Sequence, residues 1–469
     1  MADTASETPQ LKPVLRFNDV VQFLIVAVVA PRWIATAAAI GPSAITVWVI
    51  AFAAFFVPLG WAVLELARRY PGEGGIYIWT REAFGEFAGY MTAWLYWSSN
   101  LVYFPALLYY TAGNALYAFG PGALALSDSP PYYIAASLVG LAIALGLNIV
   151  GLGVGKWLHN AGAIGTWVPL GLLIVAGFVA FIRFGPATSF AGNALLPQTG
   201  LKDLVLWSTV AFAFAGLETA SFMGDEVVES RRTIPRALIV SGFAIVALYV
   251  LGTLAVLVAV PEGQVNQLQG VMQAIAVTAE RASLPQLTTL VAVLITIGSL
   301  GSVGAWLAAT ARLPFVVGLD RGLPAAFARL HPKWGTPYVA FLVQAAGAAV
   351  FIVLSQAGAS VRGAYDALNS MALIVYFVPY LLMFAALIRL SGSPAPGSPS
   401  VSRPRRFASV ALGAAGFATT AASIGFALLP VEGERHPALA VFKVAGLSTL
   451  LAGLGVLLYL RRPRGKPTV

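Results

Sequence analysis

The chain has 469 residues, 59% of them hydrophobic and only 10% charged, whereas a water-soluble domain carries roughly a quarter charged residues. That composition excludes a soluble enzyme, because too little polar surface remains to face water. The net charge of +9 does not mark a nucleic-acid binder either: the basic residues sit in short segments between apolar runs, as topology signals do. With no cysteine in the chain, disulfides, thiolate metal sites and cysteine nucleophiles are ruled out, and no metal or organic cofactor is expected.

Residues 1–16 are polar, show no cleavable signal, and lead into the first of twelve apolar runs. These lie at 19–41, 43–67, 84–119, 131–150, 157–183, 203–228, 235–260, 285–318, 338–356, 363–390, 407–430 and 438–460. Each reaches the ~20 residues needed to cross ~30 Å of hydrocarbon. The third and eighth are long enough to tilt strongly or to project from the bilayer. With the N-terminus inside, inner segments and span ends hold 21 Lys and Arg and outer ones 6, Arg32 alone being left deep in a span. Reversing the orientation would violate the positive-inside rule at almost every loop, so both termini are expected in the cytoplasm and the chain in the cell's inner (plasma) membrane.

The predicted fold is an all-α membrane protein of 12 transmembrane helices. It divides into a cytoplasmic tail (1–18), a first five-helix unit (19–183), a second (203–390), a linker (391–406), spans eleven and twelve (407–460) and a C-terminal tail (461–469). The linker reads SGSPAPGSPSVSRP at 391–404, too polar and Pro/Gly-rich to pack. The insertion Tyr70–Trp79 after span two falls inside, and its counterpart Glu262–Ser283 after span seven falls outside. An inverted five-plus-five repeat produces that arrangement.

Inverted-repeat transporters commonly break the first helix of each unit at mid-membrane, freeing backbone groups for substrate. Span one carries Ala30-Pro31-Arg32-Trp33, where Pro31 removes an amide and disfavours continuous helix. Span six carries Phe212-Ala213-Phe214-Ala215-Gly216-Leu217-Glu218. Proline kinks and glycines are each frequent in membrane helices; their occurrence at corresponding places in two halves is what points to a site.

These residues resemble the amino acid–polyamine–organocation (APC) superfamily over nearly the whole chain. The likeness rests on GPSAI (41–45), ELARRYPGEGGIYIWTREAFG (65–85), FAFAGLETASFMGDEVVESRRTIPRAL (212–238) and DRGLP (320–324). It implies a LeuT-like fold with broken helices one and six, and transport of amino acids or related amines and polyamines. The family's motif places a gating aromatic at Phe212 or Phe214, ammonium-binding backbone around Ala215 and Gly216, and its acidic residue at Glu218. For Glu218, which must face the protein interior or water, a structural hydrogen-bonding role stands beside a substrate or proton role. Where typical members carry Gly-x-Gly in helix one, this chain has Ala-Pro-Arg-Trp. That departure and GTWVP at 165–169 look most like the glutamate–aminobutyrate antiporter branch.

The coupling ion implied is H+ or Na+. The lysine that proton-coupled members carry in span five falls here near Thr166, and the hydroxyls suited to sodium on span eight are Ser299 and Ser302. Small serines at helix crossings are more commonly packing residues. Arg32 lies deep in span one and needs a partner or water. Asp366, near the outer end of span ten, is its expected partner in a thin outer gate, with a substrate carboxylate as the competing partner. His159, beside Lys156, reads as an interfacial residue. Glu65, Glu73, Glu82 and Glu86 surround Arg68, Arg69 and Arg81 as a salt-bridged inner face. Trp94, Tyr96, Trp97, Tyr103 and Phe104 read mainly as packing, with one or two walling the site. A membrane-embedded enzyme would need clustered histidines or an Asp-rich motif, and the 3 histidines are scattered. A nontransporting sensor on the same fold is the remaining alternative. The expected partners are a small-molecule substrate and membrane lipids; nothing in the sequence sets an oligomeric state.

Overall fold

The computed structural model describes residues 16–70, 75–150, 152–197, 200–218, 227–311, 325–392, 402–430 and 437–461. The regular elements among them are helices. The first expected span is divided into α1 (Phe17–Val28) and α2 (Pro31–Ala38). Val29 and Ala30 between them are extended, with φ/ψ of −75°/116° and −127°/125°. The break expected across Ala30–Trp33 therefore shifts toward the N-terminus, and Pro31, Arg32 and Trp33 form the first turn of α2. Proline's fixed φ suits a first helical position, where its missing N–H costs nothing, and its ring drives the preceding residue into extended backbone.

The second span, α3 (Ser43–Arg69), is continuous but widens into π-turns at Phe52–Phe56. A short helix, α4 (Ile76–Phe84), follows and ends at Gly85, whose φ of 89° turns the chain before α5 (Glu86–Ser98). The long third run is thus shorter than expected at its start. It continues from α5 into α6 (Asn100–Ala115) through Ser99, whose backbone stays helical. Next come α7 (Pro130–Val150) and α8 (Leu152–Phe184). The sixth span starts as α9 (Leu201–Ala213) and leaves helical geometry at Phe214–Gly216. Gly216 has φ 121°, a region open to glycine because it lacks Cβ.

The second half contains α10 (Ser230–Ala259), the short α11 (Gly270–Arg281), α12 (Gln286–Thr310), α13 (Tyr338–Gln356) and α14 (Val361–Leu390). It ends with α15 (Arg403–Ala427) and α16 (Pro437–Arg461). Residues 403–406 of the expected linker are therefore the first turn of α15, which Pro404 tolerates near its start. Among the described residues, nine helices are long and apolar enough to cross a membrane. The other three expected spans are the broken ones at 17–38 and 201–218 and the two-segment one at 86–115.

The broken helices pack against continuous ones. Both α1 and α2 lie against α10, α5 and α6 lie against α14, and α8 lies along α12. The α8–α12 crossing is backbone to backbone: a Cβ on Gly165 would stand 2.5 Å from Gly298 Cα, and one on Gly162 would stand 3.2 Å from Gly301. Small residues permit that approach. The short α4 packs on α14, and the short α11 packs on α8. Helix α15 is stitched along α3 by Thr419 Oγ1 to the Ala54 carbonyl (3.0 Å), Trp61 Nε1 to Ser409 Oγ (3.0 Å) and Arg405 Nε to Glu65 Oε2 (2.8 Å). Buried Glu65 also receives Arg69 Nε (2.6 Å) and Arg68 Nη2 (3.0 Å), while Arg69 Nη1 donates to the Leu390 carbonyl (2.7 Å). The Glu65 cluster foreseen in the sequence thus gains Arg405. Arg81 and Glu82 form a separate exposed pair at 4.0 Å, and Glu73 lies outside the described residues.

Candidate functional site

The two breaks meet. Tyr249, near the middle of α10, places its hydroxyl 2.7 Å from the Val28 carbonyl and 3.0 Å from the Ala213 carbonyl, and accepts the Ala30 N–H at 3.4 Å. One phenol therefore binds the C-terminal ends of α1 and α9 together. Tyr249 is held in turn by stacking on Trp48, ring centroids 4.2 Å apart. Beside these ends lies a cavity of about 40 Å³. Ala27, Val28, Ala213 and Ala215 line it at the helix ends; its aromatic residues are Trp33, Tyr103, Phe212, Trp306 and Tyr376; Ser99, Asn100 and Ala372 complete it. The C-termini of α1 and α9 bring partial negative charge to this place and the N-terminus of α2 brings partial positive charge. An ammonium group is favoured at the first and an anion at the second.

Phe212 lines the cavity and meets Trp33 edge-on at 5.4 Å. Phe214 does not line it: its ring is buried against Trp48, Phe56 and Tyr249. Leu217 is also buried away from the cavity. Gly216 turns its N–H to Glu218 Oε2 at 3.1 Å and to the Tyr380 hydroxyl at 3.2 Å.

Glu218 is completely buried and stands behind the cavity wall. Its Oε1 accepts from the hydroxyls of Tyr96 (2.9 Å) and Tyr376 (2.6 Å), and its Oε2 accepts from Tyr380. Tyr376 faces the cavity as well as Glu218, so the carboxylate ties the span-six break to α5 and α14 through the ring that walls the site. Tyr376, Tyr380 and Asn369 were not foreseen. A signal for them existed: Tyr365, Asn369, Tyr376 and Tyr380 recur at i, i+4, i+11 and i+15 along span ten, one face of a helix.

Arg32 is also completely buried. Its guanidinium lies between two cavity-wall rings, 3.9 Å from the Trp33 centroid and 4.4 Å from that of Tyr103. Nη1 meets Asn369 Oδ1 at 3.4 Å. The expected Arg32–Asp366 pair is not formed in this structure. Asp366 instead faces Arg362, one turn earlier on α14, at 3.8 Å, and Gln267 donates to it at 2.8 Å with its amide turned to suit. An i,i+4 neighbour on the same helix needs no help from a second element, and the residue that α14 presents to Arg32 is Asn369.

The remaining candidates lie at helix crossings. Thr166 Oγ1 donates to the Gly162 carbonyl (2.9 Å) and Ser302 Oγ to the Gly298 carbonyl (3.1 Å), both within their own helices. Ser299 is half-buried on α12. The side chains of Lys156 and His159, and residues 320–324, lie outside the described residues.

Residues 14–447 match the model of a family described as amino acid permease. An uncharacterized transporter of Legionella pneumophila is 32% identical over 384 residues, covering 81% of each chain. The "Probable agmatine/putrescine antiporter" of Lactococcus lactis is 24% identical, covering 80% of this chain and 78% of its own. Asc-type amino acid transporter 1 of Mus musculus is 26% identical over 62% of this chain and 54% of its own. Among solved structures, MhsT in complex with L-phenylalanine superposes with a TM-score of 0.58, covering 94% of this chain and 98% of that one at 12% identity, a likeness of fold.

Proposed function

The chain belongs to the amino acid permease family, and on that premise we propose that it is a secondary transporter for an amino acid or related amine, working by alternating access at the meeting point of its two broken helices. The observation that carries this reading is the cavity itself, which gathers the ends of α1, α2 and α9 inside aromatic walls. Carbonyl-bearing helix ends suit an ammonium, and rings suit a cation or an apolar side chain. A cavity of about 40 Å³ holds two or three waters, so admitting an amino acid requires the walls to part.

The rest of the reading concerns architecture. Nine long apolar helices among the described residues, together with the segments at 17–38, 86–115 and 201–218, support a reading of twelve spans. Packing of α4 on α14 and of α11 on α8 supports a five-plus-five repeat, since each unit's insertion then rests on the last span of the other unit. The charge distribution supports cytoplasmic termini in a plasma-membrane protein, an orientation that would set the Glu65 cluster on the inner side. Exchange of one substrate for another is the mode we favour. A proton or sodium gradient would draw instead on Glu218, or on Thr166, Ser299 and Ser302.

The test is counterflow: purified protein in liposomes preloaded with unlabelled amino acids or polyamines, with the entry of each labelled compound measured. Saturable entry of at least one compound, lost in Gly216→Leu while that variant stays folded, is the expected result. Folded wild-type protein that moves none of them, with or without proton or sodium gradients, would refute transport.

A further inference from the structure

Arg32 is a fully buried cation whose hydrogen-bonding capacity is mostly unused. Its Nε and Nη2 have no hydrogen-bond partner among the described residues, and neither does the hydroxyl of buried Tyr110. Tyr110 stands on α6 seven residues after Tyr103, on the same helical face that meets Arg32. The rings of Trp33 and Tyr103 pack on the guanidinium and supply it no hydrogen-bond acceptor. The two acids that could have neutralised it are engaged elsewhere: Asp366 with Arg362 and Gln267, Glu218 with three tyrosines. A guanidinium left so in a low-dielectric interior is costly unless a negative charge joins it. What converges here is a set of donors lacking an acceptor, at the second residue of α2, where the helix dipole favours an anion. Two of the rings that hold Arg32 are walls of the cavity.

We propose that Arg32 and Tyr110 form a site for one small monovalent anion, supplied either by the substrate's own carboxylate or by chloride. This rests on the transporter reading for its first source only. If the substrate supplies the anion, the transported class is amino acids rather than the diamines named for the Lactococcus lactis relative. The ammonium then lies toward the α1 and α9 ends and the carboxylate toward Arg32.

Wild-type protein suffices for the decisive comparison. Inhibition of counterflow is measured for pairs that differ only by a carboxylate: arginine and agmatine, ornithine and putrescine, phenylalanine and phenethylamine. A carboxylate source predicts that the amino acid of the active pair inhibits at least about tenfold more strongly than its amine, the size of a charge-assisted hydrogen bond, and that Arg32→Gln narrows the gap. A chloride source predicts equal inhibition within pairs and a fall in melting temperature when gluconate replaces chloride in substrate-free protein, a fall absent in Arg32→Gln. Equal inhibition with indifference to chloride overturns the anion site while leaving transport intact. Chloride stabilisation without counterflow of any compound would uphold the site and sink the transporter reading.

Discussion

Gly165 and Gly171 lie six residues apart on α8, and the same substitution at each should have opposite consequences. A Cβ on Gly165 would stand 2.4 Å from the Leu294 carbonyl oxygen, 2.5 Å from Gly298 Cα and 2.6 Å from Gly298 N. Those distances are roughly 1 Å inside ordinary van der Waals contact. The obstacles are backbone on both sides, so no rotamer change relieves them and the two helices must separate. A gap of 0.5–1 Å forfeits about a quarter to a half of each dispersion contact along the crossing. Overpacking of this kind costs about 1–3 kcal/mol, and Gly165→Ala belongs at the upper end. Gly171 is exposed, with nothing within 4 Å of an added Cβ, so Gly171→Ala should leave stability unchanged or raise it by up to about 1 kcal/mol through helix propensity. Since α12 also carries Trp306 to the cavity wall, Gly165→Ala should weaken substrate as well. Thermal unfolding in detergent and counterflow by the two variants supply the readings. Equal melting temperatures and equal substrate affinities would refute the close crossing.

Three further outcomes are expected. Tyr249→Phe removes the hydroxyl shared by Val28, Ala213 and Ala30; unfolding should show a loss of about 1–3 kcal/mol, and binding assays should show weaker substrate. Glu65→Ala strands Arg69, whose side chain is 2% exposed, and should destabilise by about 3–5 kcal/mol. Arg405→Ala removes a partner 42% exposed and should cost no more than about 1 kcal/mol, a contrast readable from the two melting curves. Gly216→Ala forces a side chain onto φ 121° with its Cβ 3.2 Å from the Ala27 carbonyl oxygen, so it should abolish substrate binding in a thermal-shift assay where wild type responds.

Much of this was legible before any coordinates. Apolar run length located every continuous span, because the bilayer sets a length that composition must meet, and Pro31 and Gly216 marked the breaks because backbone geometry constrains both residue types. What was missed lay in directions that one-dimensional spacing does not carry. Which of Phe212 and Phe214 faces the cavity depends on how far α9 runs before it unwinds, and that is set by contacts with Trp48 and Tyr249. Arg32, expected to lie deep and to need a partner, is buried. Its neighbour on α14 is Asn369 rather than Asp366 because the facing register of two helices depends on packing, not on charge. The tyrosines around Glu218 come from α5 and α14, more than a hundred residues away on either side.

The central claim is that substrate occupies the space between the two breaks, and the absence of cysteine from the chain permits a direct measurement. Ser99→Cys and Ala215→Cys each place a sole thiol in the cavity wall, and Phe119→Cys places one on an exposed turn outside it. The rate of labelling by a small thiosulfonate is measured in counterflow-competent liposomes with and without the transported substrate. The account predicts that substrate slows labelling at positions 99 and 215 and leaves position 119 unchanged. Labelling at 99 and 215 that stays equally fast under saturating substrate, in variants that still transport, would contradict it.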